Sequence, residues 1–286
     1  MTGPIVVGVD GSGRSLRALI WAVHEAASRG RALRIVHVLS PAHEYAVTAE
    51  GHAGELGQRD KGVVAEATMI AEEAHPDLKV TSALPTGAPP AALLSESEHA
   101  HTLVVGTRGT GGFGSLLLGS VALQVVGHAA CPVVVVNQLT TGHNRIVVGT
   151  DGSAHSDAAL AYAFEQASLR GIPLQAVHAW IRPGLHAMTT GGALDEAATR
   201  HREDLAKWLA PLARRYPEVE VVKDLPEEDP MLALARASDR ADLLVVGSRG
   251  RGGFRGLALG SVSHQLLQFS QCPLAVVRPH PAPRSD

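Results

Sequence analysis

Residues 106–121 have the sequence GTRGTGGFGSLLLGSV, and this stretch decides the fold. It follows a short apolar run, Leu103 to Val105, and precedes a segment with helical spacing of apolar residues. The pattern predicts a strand, a glycine-rich turn and the start of a helix. Glycines let the backbone bend so that several N–H groups point inward, and a helix N-terminus adds unpaired donors with partial positive charge. Proteins of the α/β class bind phosphate groups at such turns.

The same stretch recurs in the second half of the chain, where Gly247 stands 141 positions after Gly106. The short motif at residues 8–12, GVDGS, recurs at the same offset as GTDGS at residues 149–153. From residue 106 to residue 136, 16 of 31 positions are identical to their counterparts, which is too many for unrelated units. A period this long indicates a duplicated domain rather than a solenoid.

A chain of 286 residues is long enough for two domains that each bury their own core. The repeat predicts one domain at residues 1–138 and a second at residues 144–280. In each half, short apolar strands alternate with helical segments, which predicts a parallel sheet with right-handed crossovers. Among these segments, residues 33–39 form the expected second strand and residues 115–129 the expected last helix.

The fold class is therefore α/β, with two tandem, doubly wound, parallel five-stranded sheets of Rossmann-like type and helices on both faces. An assumed strand order of 3-2-1-4-5 reverses the winding direction between strands 1 and 4, and ligands bind at the carboxyl ends of strands at that point. Strand 1 ends at the DGS motif and strand 4 ends at the glycine-rich turn. The topology would bring these two motifs side by side.

Composition excludes several classes of function. A net charge of −3 and an aromatic content of 3% do not suit a nucleic-acid-binding surface. The four lysines all lie outside the glycine-rich turns, so lysine is not the phosphate-binding residue. Without a charged leader, a cleavage site or an apolar run of membrane-spanning length, the expectation is a cytoplasmic protein with no membrane span. Cys131 and Cys272 occupy equivalent positions and are expected to be reduced, small apolar residues.

The glycine-rich turn has the form Gly-x2-Gly-x9-Gly-Ser twice, and this pattern resembles the nucleotide-binding motif of the ATP-binding branch of the universal stress protein family. Both copies follow their own Asp-Gly-Ser motif, and the likeness extends over almost the whole chain, as in the tandem two-domain members of that family. The residues that match the motif are Gly106, Gly109, Gly119 and Ser120 in the first half, and Gly247, Gly250, Gly260 and Ser261 in the second.

The resemblance implies one ATP in each half, with its phosphates on the turn and on the hydroxyl of Ser120 or Ser261. Val121 and Val262, which follow these serines, belong to the same implied site. Phosphate charge would then be met by backbone N–H groups, the helix dipole, Arg108 or Arg249, and Mg²⁺. The metal-binding residues stay unassigned.

The resemblance also places the adenine edge at the backbone near the end of strand 2, at Val38 and Ala179. Asp10 and Asp151 repel phosphate, so they are expected to bind ribose hydroxyls or a metal, and the resemblance favours ribose. An alternative is that each aspartate only caps the next helix. Arg108 and Arg249 have a similar alternative as solvated residues of the turn.

The halves differ after strand 3, where Gly87-Ala88-Pro89 of the first half becomes Glu228-Asp229-Pro230 in the second. Added negative charge near a phosphate site would weaken it, so the sequence predicts unequal binding by the two halves. The expected function is a nucleotide-dependent regulator of the stress response.

Two alternatives remain: an ATP-consuming enzyme such as a slow hydrolase, and a nucleotide-free interaction module. The sequence has no P-loop with Lys-Ser/Thr and no Gly-x-Ser-x-Gly motif, so no catalytic residue is assigned. Stress signal and protein partner are not indicated by any motif. The last strands, at residues 133–136 and 274–277, are apolar, and exposed sheet edges favour pairing. By resemblance, these strands are expected to pair the two halves across a pseudo-twofold axis, and a homodimer is also expected.

Overall fold

A computed structural model describes residues 3–39, 53–109, 118–181, 192–252 and 258–279, with the chain divided into two compact units, Met1–Leu139 and Thr140–Asp286. Most of the segment from residue 41 to residue 54, which the sequence suggests as a loop over the site, lies outside the described residues. Residues 110–117 of the first glycine-rich turn and residues 253–257 of the second lie outside them as well. Within the described part of the chain, no helix is both long and apolar enough to cross a membrane.

The first unit contains five strands and four described helices in alternating order. Its strands are β1 (Ile5–Gly8), β2 (Leu33–Val36), β3 (Val80–Ala83), β4 (Thr102–Gly106) and β5 (Val133–Val136). Its helices are α1 (Gly13–Ser28), α2 (Ala53–Ala74), α3 (Pro89–Ser97) and α4 (Ser120–His128).

The second unit repeats this succession. Its strands are β6 (Ile146–Gly149), β7 (Leu174–Val177), β8 (Val221–Asp224), β9 (Leu243–Gly247) and β10 (Leu274–Val277). Its helices are α5 (Ala154–Arg170), α6 (Gly192–Arg215), α7 (Pro230–Ser238) and α8 (Ser261–Phe269).

The strand order within the first unit is β3-β2-β1-β4-β5, and the second unit has the matching order β8-β7-β6-β9-β10. All described pairs are parallel; Val7 of β1, for example, lies opposite Ile35 of β2 and Val104 of β4. This confirms the predicted 3-2-1-4-5 order and the doubly wound α/β class. Because β1 and β4 are neighbours, as are β6 and β9, the two motifs of each half meet at one edge of its sheet.

Helices cover both faces of each sheet. In the first unit, α1 packs beside α2, and α3 packs beside α4. The central strands are buried on both sides and consist almost entirely of Val, Ile and Leu, as parallel sheets require. The helix α1 ends where Gly30 takes the left-handed conformation with φ of 60°, as the sequence predicts.

Two predicted boundaries are wrong. The last helix of the first half begins at Ser120 rather than at residue 115, because Gly119 is extended, with φ of −77° and ψ of 150°, and serves as the N-cap. The second strand ends at Val36, although Leu39 still forms an isolated parallel bridge to Thr86. The residues that flank both elements are apolar as well, so the sequence pattern predicts a longer helix and a longer strand than the structure has.

Cys131 and Cys272 are free and buried, as expected from their Cys-Pro positions. Burial raises the pKa of each thiol to about 12. Both therefore remain protonated and act as small apolar residues of the core.

Gly106 ends β4 at a point where the sheet touches the first turn of α1. A Cβ at this position would lie 2.9 Å from the carbonyl carbon and oxygen of Arg14. The matching Gly247 has the same relation to the backbone of His155, at 2.7 Å. The absence of a side chain therefore allows the helix to approach the strand end closely.

We expect Gly106→Ala to lower the free energy of unfolding by about 1–3 kcal/mol, because the added methyl group has only backbone to displace. Urea denaturation of the purified variant measures this change. Gly62→Ala in α2 is the matched control, since a Cβ there would meet nothing outside its own helix within 4 Å, and it should be neutral or stabilising by up to about 1 kcal/mol. Equal stability for the two variants would contradict this account of the β4–α1 contact.

Candidate functional site

The ends of β1 and β4 bring Asp10 and Gly109 into direct contact. A Cβ on Gly109 would lie only 2.3 Å from Oδ2 of Asp10, so the carboxylate lies against the glycine backbone. The second half repeats this contact, with 2.5 Å between a Cβ on Gly250 and Oδ2 of Asp151. The structure thus brings together the two motifs that the sequence places side by side, and it does so in both halves.

Asp10 is held by a turn of its own motif. Its Oδ1 accepts a hydrogen bond from the Ser12 N–H at 3.0 Å, and Gly11 provides the required positive φ of 78°. The N-cap of α1 is Ser12, whose Oγ accepts from the Ser15 N–H at 3.1 Å. The suggestion that the aspartate caps this helix is therefore wrong, because serine performs that role and the aspartate orients the serine.

Asp151 has the same arrangement, with Ser153 as the N-cap of α5 and with Oδ1 accepting from the Ser153 N–H at 3.0 Å. Its Oδ2 also accepts from the Arg251 N–H at 2.8 Å. Burial tends to raise the pKa of Asp151, but hydrogen bonds from Ser153, Arg251 and Ser156 outweigh it and hold the pKa below its ordinary value. The carboxylate is therefore ionised and fixed in direction.

The N-termini of α4 and α8 lack side-chain caps. Gly119 and Gly260 occupy the N-cap positions, and neither end has a capping hydrogen bond from a side chain. The first helical bonds join the Leu123 N–H to the Gly119 carbonyl and the His264 N–H to the Gly260 carbonyl. Among the residues that the structure describes, no acceptor is found for the N–H groups of Ser120 and Val121 or of Ser261 and Val262, so these donors can meet an external acceptor.

Each glycine cap lies close to the backbone at the start of its own turn, so a side chain there would be crowded. The Gly119 N–H donates to the Thr107 carbonyl at 2.8 Å, and a Cβ on Gly119 would lie 3.2 Å from that oxygen and 3.3 Å from the Cα of Arg108. Gly260 donates to the Ser248 carbonyl in the same way, at 2.8 Å. These contacts place the open helix end beside the end of the preceding strand.

Arg108 and Arg249 are half-buried rather than fully solvated. In the second half, positive charge collects beside the turn, where burial and the charge of Arg249 lower the pKa of both His155 and Arg278. The Nε of Arg249 is buried and has no hydrogen-bond partner among the described residues. An anion at this turn would relieve the mutual repulsion of Arg249 and Arg278.

Val38 and Ala179 follow β2 and β7 and are half-buried. The residues on either side of Val38, His37 and Leu39, donate backbone N–H groups toward the β3 side, to the carbonyls of Ala83 and Pro85. Alternate residues of an extended strand direct their backbone groups to opposite sides. The N–H and C=O groups of Val38 therefore face the β1 side, above the end of that strand, and the equivalent bonds of His178 and Trp180 place Ala179 likewise.

His37 and His178 are buried at the rim of the sheet and support it. In each, Nδ1 lies close to the carbonyl oxygen at the end of the neighbouring strand, at 2.8 Å from Val9 and at 2.9 Å from Thr150. The Nε2 of His37 contacts Asp60 Oδ1 at 2.8 Å, whereas that of His178 contacts Nδ1 of His201 at 2.9 Å. The two halves thus place different partners at one structural position.

The second half also contains an aromatic cluster that sequence reasoning missed. Trp180 stacks on His201 with ring centres 4.9 Å apart, and Trp208 meets His178 edge-on at 5.0 Å. The guanidinium of Arg251 lies 5.2 Å from the centre of the Trp208 ring. These three contacts join residues 21 to 43 positions apart in sequence, so only the unequal residues at repeat-equivalent positions could have indicated the cluster.

The charged residues after β8 have local partners. Asp229 is the N-cap of α7, with Oδ1 accepting from the N–H groups of Met231 at 2.9 Å and Leu232 at 3.3 Å, and Glu228 forms an ion pair with Arg236. The corresponding Ala88 makes no side-chain cap. The substitution therefore strengthens a helix end at the sheet edge, and unequal binding by the two halves stays a prediction.

A protein-derived metal centre is not evident in the part of the chain that the structure describes, where no group of three or more His, Cys, Asp or Glu side chains is placed to hold an ion.

Comparison with known proteins identifies the family of this architecture. The model of the universal stress protein family matches residues 1–137 and again residues 142–278. A universal stress protein of Mycolicibacterium smegmatis is 36% identical over 289 residues, covering 96% of this chain and 97% of that protein. A universal stress protein of Mycobacterium tuberculosis is 37% identical over 292 residues, with 96% of each chain covered.

The fold has a counterpart among solved structures as well. The crystal structure of a universal stress protein from Archaeoglobus fulgidus aligns with a TM-score of 0.71 at 21% identity, covering 98% of this chain and 99% of the other. The likeness supports the shared fold of the two-domain chain.

The buried His178 predicts a pH-dependent stability of the second half. Its pKa is lowered mainly by burial, with His201 and Arg251 acting in the same direction and Thr150 and Asp151 opposing them. The unfolded chain then takes up a proton near pH 6.5, before the folded chain does. Stability should be complete above that pH and should fall as the pH drops toward the folded-state pKa, by at most about 1.4 kcal/mol per pH unit for one proton.

Urea unfolding at about pH 7.5 and about pH 5.5 measures this loss. His178→Gln should lose less stability between the two pH values than the natural protein, whereas the exposed control His264→Gln should lose as much. An unchanged pH difference in His178→Gln would show that this imidazole does not titrate with folding.

Proposed function

This chain belongs to the universal stress protein family, and we propose that it is an ATP-binding regulator with one nucleotide site in each half. One observation carries the proposal: a helix N-terminus that has glycine at the N-cap, and therefore no side-chain cap, lies at the same sheet edge as an oriented aspartate. Both features occur twice, at equivalent positions. A donor-rich end and an acceptor end suit a ligand that has phosphates at one side and hydroxyl groups at the other.

The phosphates lie at the N-termini of α4 and α8 in this proposal. Backbone N–H groups of the first helical turn and the hydroxyls of Ser120 and Ser261 donate to phosphate oxygens, and the helix dipole adds favourable charge. Arg108 and Arg249 supply the cationic charge that lysine supplies in other phosphate sites. Mg²⁺, bound through phosphate oxygens, neutralises further charge and needs no protein carboxylate.

The adenosine lies toward β1 and β2, or toward β6 and β7 in the second half. Asp10 and Asp151 accept hydrogen bonds from ribose hydroxyls, because each carboxylate is already oriented by the N–H of Ser12 or Ser153. The backbone groups of Val38 and Ala179 face this space and offer one donor and one acceptor to the edge of a purine ring. The distinct polarity of the two ends fixes the direction in which the nucleotide binds.

Regulation is favoured over catalysis. None of the residues proposed to hold the nucleotide is a general base for water attack, since each aspartate is held by backbone N–H groups next to ribose, and the phosphate end consists of hydrogen-bond donors. Such a site binds a nucleotide without activating a nucleophile. Nucleotide occupancy would then alter the glycine-rich turn and thereby the affinity for a protein partner under stress.

We predict that Asp10→Asn and Asp151→Asn each remove one nucleotide. The protein is purified without added ATP and denatured, and the released small molecules are counted by chromatography with mass detection. The natural chain should release about two ATP, each single variant about one and the double variant none, because a hydrogen bond to a charged group contributes about 1.5–3 kcal/mol, or roughly 10-fold to 150-fold in affinity.

Asp157→Asn is the control, since this exposed carboxylate belongs to the first turn of α5 and has no proposed role in the site. It should release as much nucleotide as the natural chain. Retention of two ATP by the double variant would refute the ribose assignment. The release of ADP alone would instead support the slow hydrolase.

We also propose that self-association uses the last strands, β5 and β10, whose residues are all aliphatic. In a parallel sheet, alternate N–H groups of an end strand point away from its neighbour. Hydrogen exchange of the full-length protein tests the proposal, because outward N–H groups that are paired should exchange as slowly as inward ones. Rapid exchange confined to alternate positions of both strands would exclude pairing through these edges.

A further inference from the structure

A pocket of about 110 Å³ lies between α1 and α2 in the first half, beneath the Asp10-Gly11-Ser12 turn. Its floor includes the buried side chains of Leu19 and Ala67. The rim includes Leu16, whose side chain is 40% exposed, and the exposed Glu66. Gly11, Val63 and Ile70 also line it.

The second half fills the equivalent space with its own side chain. Trp208 stands 141 positions after Ala67, and Gly152 stands at the same distance after Gly11. A Cβ on Gly152 would lie 2.3 Å from Cζ2 of Trp208, so the indole ring packs directly on that glycine. In the first half the smaller Ala67 stands in place of the tryptophan, and the side chain nearest to a Cβ on Gly11 is Val63, with its Cγ2 at 3.1 Å. Gly11, Val63 and Ala67 all line the pocket, which therefore lies beside the glycine that the indole covers in the other half.

Contacts on both helices show that Ala67 of α2 and Trp208 of α6 occupy equivalent positions. His37 contacts Asp60 as His178 contacts His201, and both pairs obey the offset of 141 residues. The ends of the helices match too, because the His75 N–H donates to the Ala71 carbonyl as the Tyr216 N–H donates to the Leu212 carbonyl. α2 and α6 therefore pass the glycine turn in the same register.

The chemistry of the pocket follows from its lining. Aliphatic side chains make up most of the surface, and dry apolar cavities of about 150 Å³ are known to bind benzene. The pocket of about 110 Å³ is smaller than such a cavity but opens at the surface beside Leu16, so a fused two-ring system enters with one of its rings inside and the other partly exposed. In the second half, the guanidinium of Arg251 lies 5.2 Å from the centre of the indole ring, whereas Glu66 at the rim of the first pocket provides a negative charge.

We propose that the first half binds a small planar aromatic molecule of indole size between α1 and α2, in the place that Trp208 occupies in the second half. The ring packs against Leu19, Val63 and Ala67, and Glu66 favours a ligand that bears an amine over one that bears a carboxylate. This site lies between helices rather than at the strand ends, and it does not depend on the nucleotide assignment.

The test measures binding of indole to the full-length protein by isothermal titration calorimetry. One indole should bind per chain. Ala67→Trp should weaken binding at least tenfold because its ring fills the pocket, and Trp208→Ala should add a second site because it opens the equivalent space. Replacing indole by tryptamine should strengthen binding to the natural chain, and replacing it by indole-3-acetate should weaken it.

Further variants keep the result interpretable. Ala67→Met fills the pocket with a flexible side chain and serves if Ala67→Trp does not fold, as judged by circular dichroism. Glu66→Gln should remove the preference for tryptamine without abolishing indole binding. The absence of indole binding to the natural chain, full binding by a folded Ala67 variant, or a Trp208→Ala protein without a second site would overturn the proposal.

Discussion

The site depends on one constraint, the close approach of a strand end to the first turn of a neighbouring helix. Gly106 allows this approach in the first half, because a Cβ there would meet the Arg14 backbone, and Gly247 allows it in the second. The approach fixes where the glycine-rich turn leaves the sheet. It thereby determines that Gly109 and Gly250 lie against the carboxylates of Asp10 and Asp151. Side chains at any of these glycines would separate the two motifs.

The distribution of helix caps follows from the same geometry and separates two kinds of helix end. Ser12 and Ser153 satisfy the N–H groups of α1 and α5, so those ends contribute stability and have no need of a ligand. Gly119 and Gly260 leave the N-termini of α4 and α8 without a side-chain acceptor. A helix end that lacks its own acceptor is less stable alone and gains more from an anion. The proposed phosphate site thus lies where a side-chain cap is missing.

Much of this arrangement was predictable from sequence because it depends on glycine spacing and on strand order. Two copies of the Gly-x2-Gly-x9-Gly-Ser pattern, each after its own Asp-Gly-Ser motif, predict the meeting of β1 with β4 and of β6 with β9. The N-cap role of Ser12 was harder to predict, since Asp10 and Ser12 are both good N-cap residues and only the backbone conformation decides between them. The start of α4 at Ser120 was missed for a similar reason, because Leu116 to Leu118 continue the apolar pattern across a turn.

Contacts between distant side chains were beyond such reasoning. The packing of Trp208 on Gly152 joins residues 56 positions apart, and it replaces a contact that its counterpart Ala67 is too small to make. The duplicated backbone has therefore been kept while the side chains between the helices have diverged. Because the glycines, the aspartates and the uncapped helix ends are the same in both halves, divergence beside them changes the surroundings of a site and leaves its framework intact. A duplicated domain can in this way keep one binding framework and acquire two different environments for it.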